Sequence, residues 1–483
     1  MQFKVIQRIL GLLLMVFSFT MLPPVLVGRL MGDPELSNFW ISFLCILSLG
    51  ALLWLPVHRA HSNLRLRDGY LIAVLFWFGL SAAATLPLLL SDSLRLSVTD
   101  AFFETVSGFT TTGATVITSL DGLPRSINFY RLELHWLGGM GILVLAVAIL
   151  PMLGIGGMQL YRAETPGPIK DANLTPRITE TAKLLWYIYL IMTLVCTVAF
   201  VLAGMSWFDA VCHAFSTLST GGFSTHDANF AYFDNPVLDY IAITFMFLAA
   251  VNFTLHFAAW RARSLLMYLR DSEFLAYLGI LSAVTLITML VLFHFQTYPT
   301  LSDAFRYALF HATSTMTSTG LTIADHSVWP GLLPVLLVFS SCIGGCAGST
   351  GGGMKVIRFL LLMKQGAREI RLLSHPSAHV KVKINGEPVQ ERVTTAVWGF
   401  FAVYMAVYGI FLLGVVANGH DQATAFSAVA ATLNNMGVGL GEVSASFSVL
   451  DDFSKWWLSL AMLMGRLELF TVLVLFSPAF WRH

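Results

Sequence analysis

The chain has 483 residues, 56% of them hydrophobic and only 11% charged, with a mean hydropathy of +0.74. A soluble domain carries about 25% charged residues, so this composition excludes a soluble enzyme or binding module and implies a polytopic membrane protein. The formal net charge of +1 names no partner, and nothing in it calls for nucleic acid.

Apolar runs of about 20 residues cross a hydrocarbon core of roughly 30 Å as helices. Ten such runs are predicted, over residues 9–30, 37–57, 70–90, 129–158, 184–205, 237–260, 274–296, 328–374 (interrupted), 393–417 and 453–480. The first follows Lys4 and Arg8 as a signal peptide would, but it is long, contains Pro23-Pro24 and lacks an A-x-A site, so it is expected to stay as an anchor. With the N-terminus in the cytoplasm, most of the 28 Lys and Arg fall on that side. Arg29, Arg95, Arg125, Arg131, Arg306 and Lys455 fall outside, and Arg466 falls within a span. The positive-inside bias predicts that both termini are cytoplasmic. Cys45, Cys196, Cys212, Cys342 and Cys346 lie in apolar segments without a C-x-x-C pair and read as small packing residues.

Four outer connections are too apolar to be ordinary loops. They are "TDAFFETVSGFTTTGATV", "FDAVCHAFSTLSTGGFST", "SDAFRYALFHATSTMTSTGLTI" and "DQATAFSAVAATLNNMGVGL", after the third, fifth, seventh and ninth spans. Each has an acid at a helix start (Asp100, Asp209, Asp303, Asp421), then a short amphipathic helix, then a small polar stretch ending in Gly113, Gly222, Gly320 or Gly437. The glycines recur roughly every 100 residues, which marks an internal repeat of span, short helix and span. A helix of about 13 residues is only about 20 Å long, so it must enter the membrane and return. Non-helical backbone at that depth persists only where protein buries it or it lines a water-filled path.

Four such turns on one axis present main-chain carbonyls and four helix C-termini to a central hole, which suits a monovalent cation. Glycine is required where a filter strand adopts angles that a Cβ forbids. Ser/Thr/Gly runs that merely let helices pack closely explain one such stretch, but not four placed alike. Glu104, His213 and His311 each precede their glycine by the same interval. They are either proton-relay groups or hydrogen-bonded supports of the filter, and the second role is expected.

These features, with "HWLGGMGILVLAVAILPMLGIGGMQLYRAETPGP", "GGCAGSTGGGMKVIR", "AVWGFF", "ATLNNMGVGLG" and "GRLELFTVLVLFSPAFWR", resemble the Trk/Ktr/HKT superfamily of potassium transporters, in particular its bacterial TrkH branch. The resemblance spans the whole chain. It implies an all-α polytopic membrane protein of the bacterial inner membrane, in which two N-terminal transmembrane helices precede four fused helix–pore-helix–helix repeats around a pseudo-fourfold pore. It implies ten transmembrane helices in all. The expected division is 1–66 for the extension, then 67–177, 178–270, 271–390 (with a broken second helix and a cytoplasmic hairpin) and 391–483 for the repeats. Potassium is the implied cargo, held by main-chain oxygens of Thr111, Thr112 and Gly113; Thr220, Gly221 and Gly222; Ser318, Thr319 and Gly320; and Asn435, Met436 and Gly437. In related plant transporters, serine at the first filter glycine accompanies sodium preference. Glycine at all four positions therefore implies potassium, while the irregular fourth strand leads us to expect weaker sodium rejection and passage of rubidium.

"IGGCAGSTGGGMKVIRF" raises a separate question. Its spacing from Gly348 to Gly353 imitates a phosphate loop, but Met354 and Lys355 follow where Lys and Ser/Thr are required, and the flanks are helical. The glycines are expected to unwind the second span of the third repeat below the filter. The resemblance implies a gate there, comprising Gly345, Gly348, Ser349, Thr350, Gly351, Gly352 and Gly353. Arg466, expensive in mid-membrane by about 2.5–3.5 kcal/mol, is either satisfied by helix-end carbonyls or faces the pore beside this loop; the second is expected, with Glu468 a poor partner.

"VKVKINGEPV" reads as two short strands around Asn385-Gly386, suited to docking a soluble partner. The family implies a cytoplasmic Trk-type nucleotide-binding regulatory subunit, with NAD or ATP only on that partner, no covalently bound cofactor on this chain, a homodimer of the membrane subunit, and lipid around it. A potassium symporter coupled to protons or sodium is the alternative, resting on Glu104, Glu133, His135, His213 and His311. An enzyme is not expected, because no nucleophile–base pair or metal cluster is legible.

Overall fold

The computed structural model describes residues 1–60, 64–141, 178–378 and 380–482. The N-terminal extension is α1 (Phe3–Ser18) and α2 (Leu22–Met31), nearly continuous through one 3-10 turn, followed by α3 (Ser37–Trp54). Gly11 and Gly50 let α1 and α3 touch, since a Cβ on either lies 2.8 Å from the other's carbonyl oxygen.

The first repeat comprises α4 (Leu66–Ala84), the short α5 (Val98–Phe109) and α6 (Arg125–Gly139). The predicted span 129–158 starts in α6 and continues outside the described residues. The second repeat has α7 (Ile178–Leu202), short α8 (Trp207–Ser219), α9 (Pro236–Ala249) and α10 (Phe253–Ala262). In the third are α11 (Ser272–His294), short α12 (Leu301–Met316), α13 (Leu333–Ile343) and α14 (Val356–Ser374). The fourth has α15 (Glu391–Ala417), short α16 (Gln422–Leu433), α17 (Asp452–Arg466) and α18 (Leu469–Leu473). Among the described residues six helices are long and apolar enough to cross a membrane, and up to eight if each bent pair counts as one span.

The repeats close into a ring because each second helix packs on the next short helix. Thus α6 packs on α8, α9 on α12, α13 on α16, and α17 back on α5. Ion pairs fasten two of these seams: Arg306 to Asp239 at 2.7 Å, and Lys455 to Asp100 at 2.6 Å. Trp456 stacks on Phe102 beside the latter, with centroids 4.6 Å apart.

Two predicted spans are broken rather than continuous. Residues 237–260 bend by 94° between α9 and α10, and 453–480 bend by 113° after Arg466. At the first break the carbonyls of Ala249 and Ala250 accept from Thr350 and Cys346 of the glycine stretch, so they are withdrawn from the helix ladder. Asn252 then caps α10 through Thr254 N. At the second break Glu468 takes φ +56 and its carboxylate pairs with Arg358.

The hairpin forms as expected: β1 (Lys383–Ile384) pairs antiparallel with β2 (Glu387–Pro388). Asn385 and Gly386 both have positive φ, the requirement of a two-residue type I′ turn. Val382 and Ile384 bury against Ile357 and Leu361 of α14.

Candidate ion-conduction site

The short helices start where the sequence supplies caps. Ser97, Ser206 and Thr300 accept from the main-chain N–H of Asp100, Asp209 and Asp303, and Asp421 caps its own helix through Ala423 and Thr424. These caps satisfy donors that a helix start leaves bare. The helix C-termini run straight into the four turns.

The turns share one backbone design. Thr111, Thr220, Ser318 and Asn435 have φ of 54°, 54°, 57° and 53°, and Gly113, Gly222, Gly320 and Gly437 have 85°, 87°, 78° and 80°. The next-to-last residue of each, Thr112, Gly221, Thr319 or Met436, donates its N–H back to Ser107, Ser216, Ser314 or Ala431, at 2.7–2.8 Å. Four sequences with only glycine in common therefore adopt the same conformation.

The four glycines also explain one another. A Cβ on Gly113 would lie 2.1 Å from Gly221 O, and one on Gly222 would lie 2.2 Å from Thr319 O. One on Gly320 would lie 2.1 Å from Met436 O, and one on Gly437 would lie 2.2 Å from Thr112 O. The contacts run from repeat one to two, three, four and back to one. Each strand approaches the next so closely that no side chain fits between.

The carbonyls of this ring are the oxygens a cation can use. Those of Thr112, Gly221, Thr319 and Met436 accept no hydrogen bond from a donor among the described residues. The hydroxyls are engaged locally instead: Thr112 with Thr110 at 2.8 Å, Thr319 with Thr317 at 2.7 Å. Asn435, in the strand that departs from threonine, donates to Thr112 Oγ1 at 2.9 Å and to Met462 O at 3.0 Å. Its amide therefore braces the seam between repeats four and one.

Behind the ring, buried Glu104 accepts from Val116 N at 2.9 Å, from Thr115 Oγ1 and from buried Arg131 Nη2 at 2.7 Å. His213 reaches Asp209 O and Ser224 Oγ. Both side chains thus hold the strand just beyond their glycine. His311 does not, since neither nitrogen has a hydrogen-bond partner among the described residues; it lies instead against His326 and Trp329. His135, weighed from sequence only for ion coupling, stacks on Phe223 at 4.1 Å and fills the space beside Gly221, where a Cβ would lie 2.0 Å from its Nδ1. That contact explains the extra glycine of the second strand, and no local pattern announced it. Above the first and second turns, His226 Nδ1 lies 2.5 Å from Asp121, with Nε2 3.4 Å from Asp209.

The glycine stretch lies immediately against the ring. The helix stops at Ile343 and restarts at Val356, with Gly344, Gly348 and Gly353 at positive φ. Gly353 N donates to Asn434 O at 3.1 Å and Gly352 N donates to Ser318 Oγ. A Cβ on Gly352 would lie 2.0 Å from Asn434 O. Gly345 packs near Ala250, Gly351 near Thr317 O, and the Ser349 hydroxyl donates to Cys346 O. Arg466 reaches the loop: Nη1 donates to Thr350 O at 3.1 Å and Nη2 to Gly138 O at 2.6 Å. These two acceptors combine the alternatives read from sequence, for one belongs to the loop and the other to the end of α6. Glu468 pairs with Arg358 instead.

A family model described as a cation transport protein, TrkH, matches residues 35–483. The chain is 54% identical to the Trk system potassium uptake protein TrkH of Vibrio parahaemolyticus and 49% identical to that of Escherichia coli K12, over the full length of each. It is 42% identical to the Trk system potassium uptake protein TrkG of Escherichia coli K12, over 99% of both chains. The crystal structure of the potassium transporter TrkH from Vibrio parahaemolyticus superposes with a TM-score of 0.91 at 52% identity, covering 100% of both chains. This chain belongs to the TrkH family of cation transport proteins and is an all-helical, multi-span transport protein, not an enzyme.

Proposed function

We propose that this protein takes up potassium across a bacterial inner membrane through a gated, channel-like pore. The observation that carries the reading is the closed ring of glycine–carbonyl contacts among four equivalent turns. In it, the main-chain oxygens of Thr111, Thr112, Gly113, Thr220, Gly221, Gly222, Ser318, Thr319, Gly320, Asn435, Met436 and Gly437 replace the ion's hydration shell. The short-helix C-termini add their negative ends beneath the ion. The relatives' names supply potassium as the cargo.

The stretch Gly345–Gly353 with Arg466 is the gate in this reading, supported by its hydrogen bonds to Asn434 and Ser318 at the ring. A cytoplasmic nucleotide-binding Trk subunit moves it, the membrane subunit is a homodimer, and both termini face the cytoplasm. The four repeats divide at 67, 178, 271 and 391, after the two-helix extension.

One observation favours symport coupled to protons or sodium: Glu133 and His135 are buried with side-chain atoms lacking partners among the described residues. Flux into liposomes under defined ion gradients, with and without the regulatory subunit, separates the readings. A pore reverses at the potassium equilibrium potential. A reversal that moves with pH or sodium overturns it in favour of symport.

A further inference from the structure

The glycine stretch is fastened on its cytoplasmic flank by a carboxylate that belongs to neither the ring nor the ion path just described. Glu273 lies in the first turn of α11, buried at 7% exposure. Its Oε1 accepts from Ala347 N at 2.7 Å and from Ile357 N at 3.2 Å. These amides lie on either side of Ser349–Gly353, so one oxygen draws the two ends of the loop together.

The same helix start is held by the hairpin. Asp271 caps α11 through Phe274 N at 2.8 Å and accepts from Asn385 Nδ2 at 3.2 Å. Ser272 N donates to Asn385 Oδ1 at 2.6 Å, and Asn385 N donates back to Ser272 Oγ at 3.1 Å. The hairpin's anchors, Asp271 and Ser272, therefore directly precede in the chain the carboxylate that holds the loop. On its other side the hairpin buries Val382 and Ile384 against Ile357, the residue whose amide Glu273 accepts.

We propose that Glu273 is a positioning residue for the glycine loop, a clasp that keeps it closed, and that the Asn385 turn is the handle through which force on the cytoplasmic face loosens it. The inference rests on the reading of the loop as a gate. The carboxylate touches no ion. It acts by fixing the backbone on both sides of the segment that meets the ring.

The test uses the full-length protein in liposomes without any regulator, with rubidium uptake normalised to folded protein. Glu273→Ala removes the acceptor of both amides and raises basal uptake about tenfold, the ratio that corresponds to losing one or two ordinary hydrogen bonds. Glu273→Gln keeps an acceptor oxygen and stays near wild type. A partial deletion within Gly345–Gly353 raises uptake as well, and adding Glu273→Ala to it produces no further rise, since both act on the same element. Amide exchange at Ala347 and Ile357 quickens in Glu273→Ala and in Asn385→Ala, while the ring segment 313–320 is unchanged. Glu273→Asp, which keeps the charge but shortens the reach, serves if the alanine variant does not fold, and it too raises uptake. Wild-type uptake in the folded alanine or aspartate variant, beside raised uptake in the deletion, overturns the clasp and leaves the gate standing. Unchanged uptake in the deletion overturns the gate reading itself.

Discussion

Placing a serine at Gly113 tests the ring at one defined contact. The new Cβ would lie 2.1 Å from Gly221 O, whereas carbon and carbonyl oxygen rest at about 3.3 Å even in close C–H···O contacts. One strand must therefore retreat by about 1 Å. The glycine's φ of +85 adds about 1–2 kcal/mol for an L-residue held in the left-handed region. Little relief is available, because Gly221 is backed by the His135 ring and the opposing contacts close the circle. The displaced carbonyl loses its place around an ion of potassium's size. A charged contact of that kind is worth about 1.5–3 kcal/mol, or at least about tenfold in relative permeability. Sodium permeability relative to potassium should rise by that order, read as a shifted bi-ionic reversal potential in planar bilayers. Gly122→Ser is the control, since its nearest neighbour would be Ser119 Oγ at 3.6 Å. An unchanged ratio in folded Gly113→Ser, or an equal shift in the control, refutes the reasoning.

Arg466→Ala should raise basal flux and weaken dependence on the regulator, because it frees both Thr350 O and Gly138 O; Arg466→Lys should keep the charge but, as a single point donor, restore only part of the closure. Equal basal flux in wild type and the alanine variant counts against a barrier role. Glu104→Gln leaves buried Arg131 uncompensated and should cost about 3–5 kcal/mol, seen as a lower thermal midpoint, with Glu104→Gln/Arg131→Met recovering part of the loss; no change in midpoint contradicts the bracing role. His226 gives a pH signature. Burial alone lowers its pKa, but the Asp209 carboxylate beside it and the hydrogen bond to Asp121 outweigh burial and hold it above the ordinary 6.5. Its contribution is thus complete below pH 6.5 and is lost as the pH rises through the folded value. Thermal midpoints should fall across that window in wild type and stay flat in His226→Gln; parallel profiles disprove the assignment.

Much of the site was legible because it is local. A positive φ calls for glycine, and a bare helix start calls for Ser or Thr three residues before an acid, or for Asp as the cap itself. Both demands are written next to each other in the chain. The glycine stretch likewise announced a break, and Asn385-Gly386 announced a hairpin. The kinks at 250–252 and 467–468 were not legible, since neither holds a run of helix breakers. Ala249 and Ala250 are ordinary helix residues until Thr350 and Cys346, about a hundred positions away, claim their carbonyls.

By itself the sequence determined a membrane chain with four re-entrant turns, their left-handed glycines and a helix that must unwind, because each follows from the backbone angles its own residues permit. Only the tertiary structure decided the cyclic order in which each glycine meets the next strand's carbonyl, the burial of His135 behind Gly221, the split loyalty of Arg466 and the grip of Glu273 on two loop amides. Those contacts join atoms tens to hundreds of residues apart. Main-chain carbonyls, which every residue carries, supply most of the acceptors, so no residue type marks them in advance.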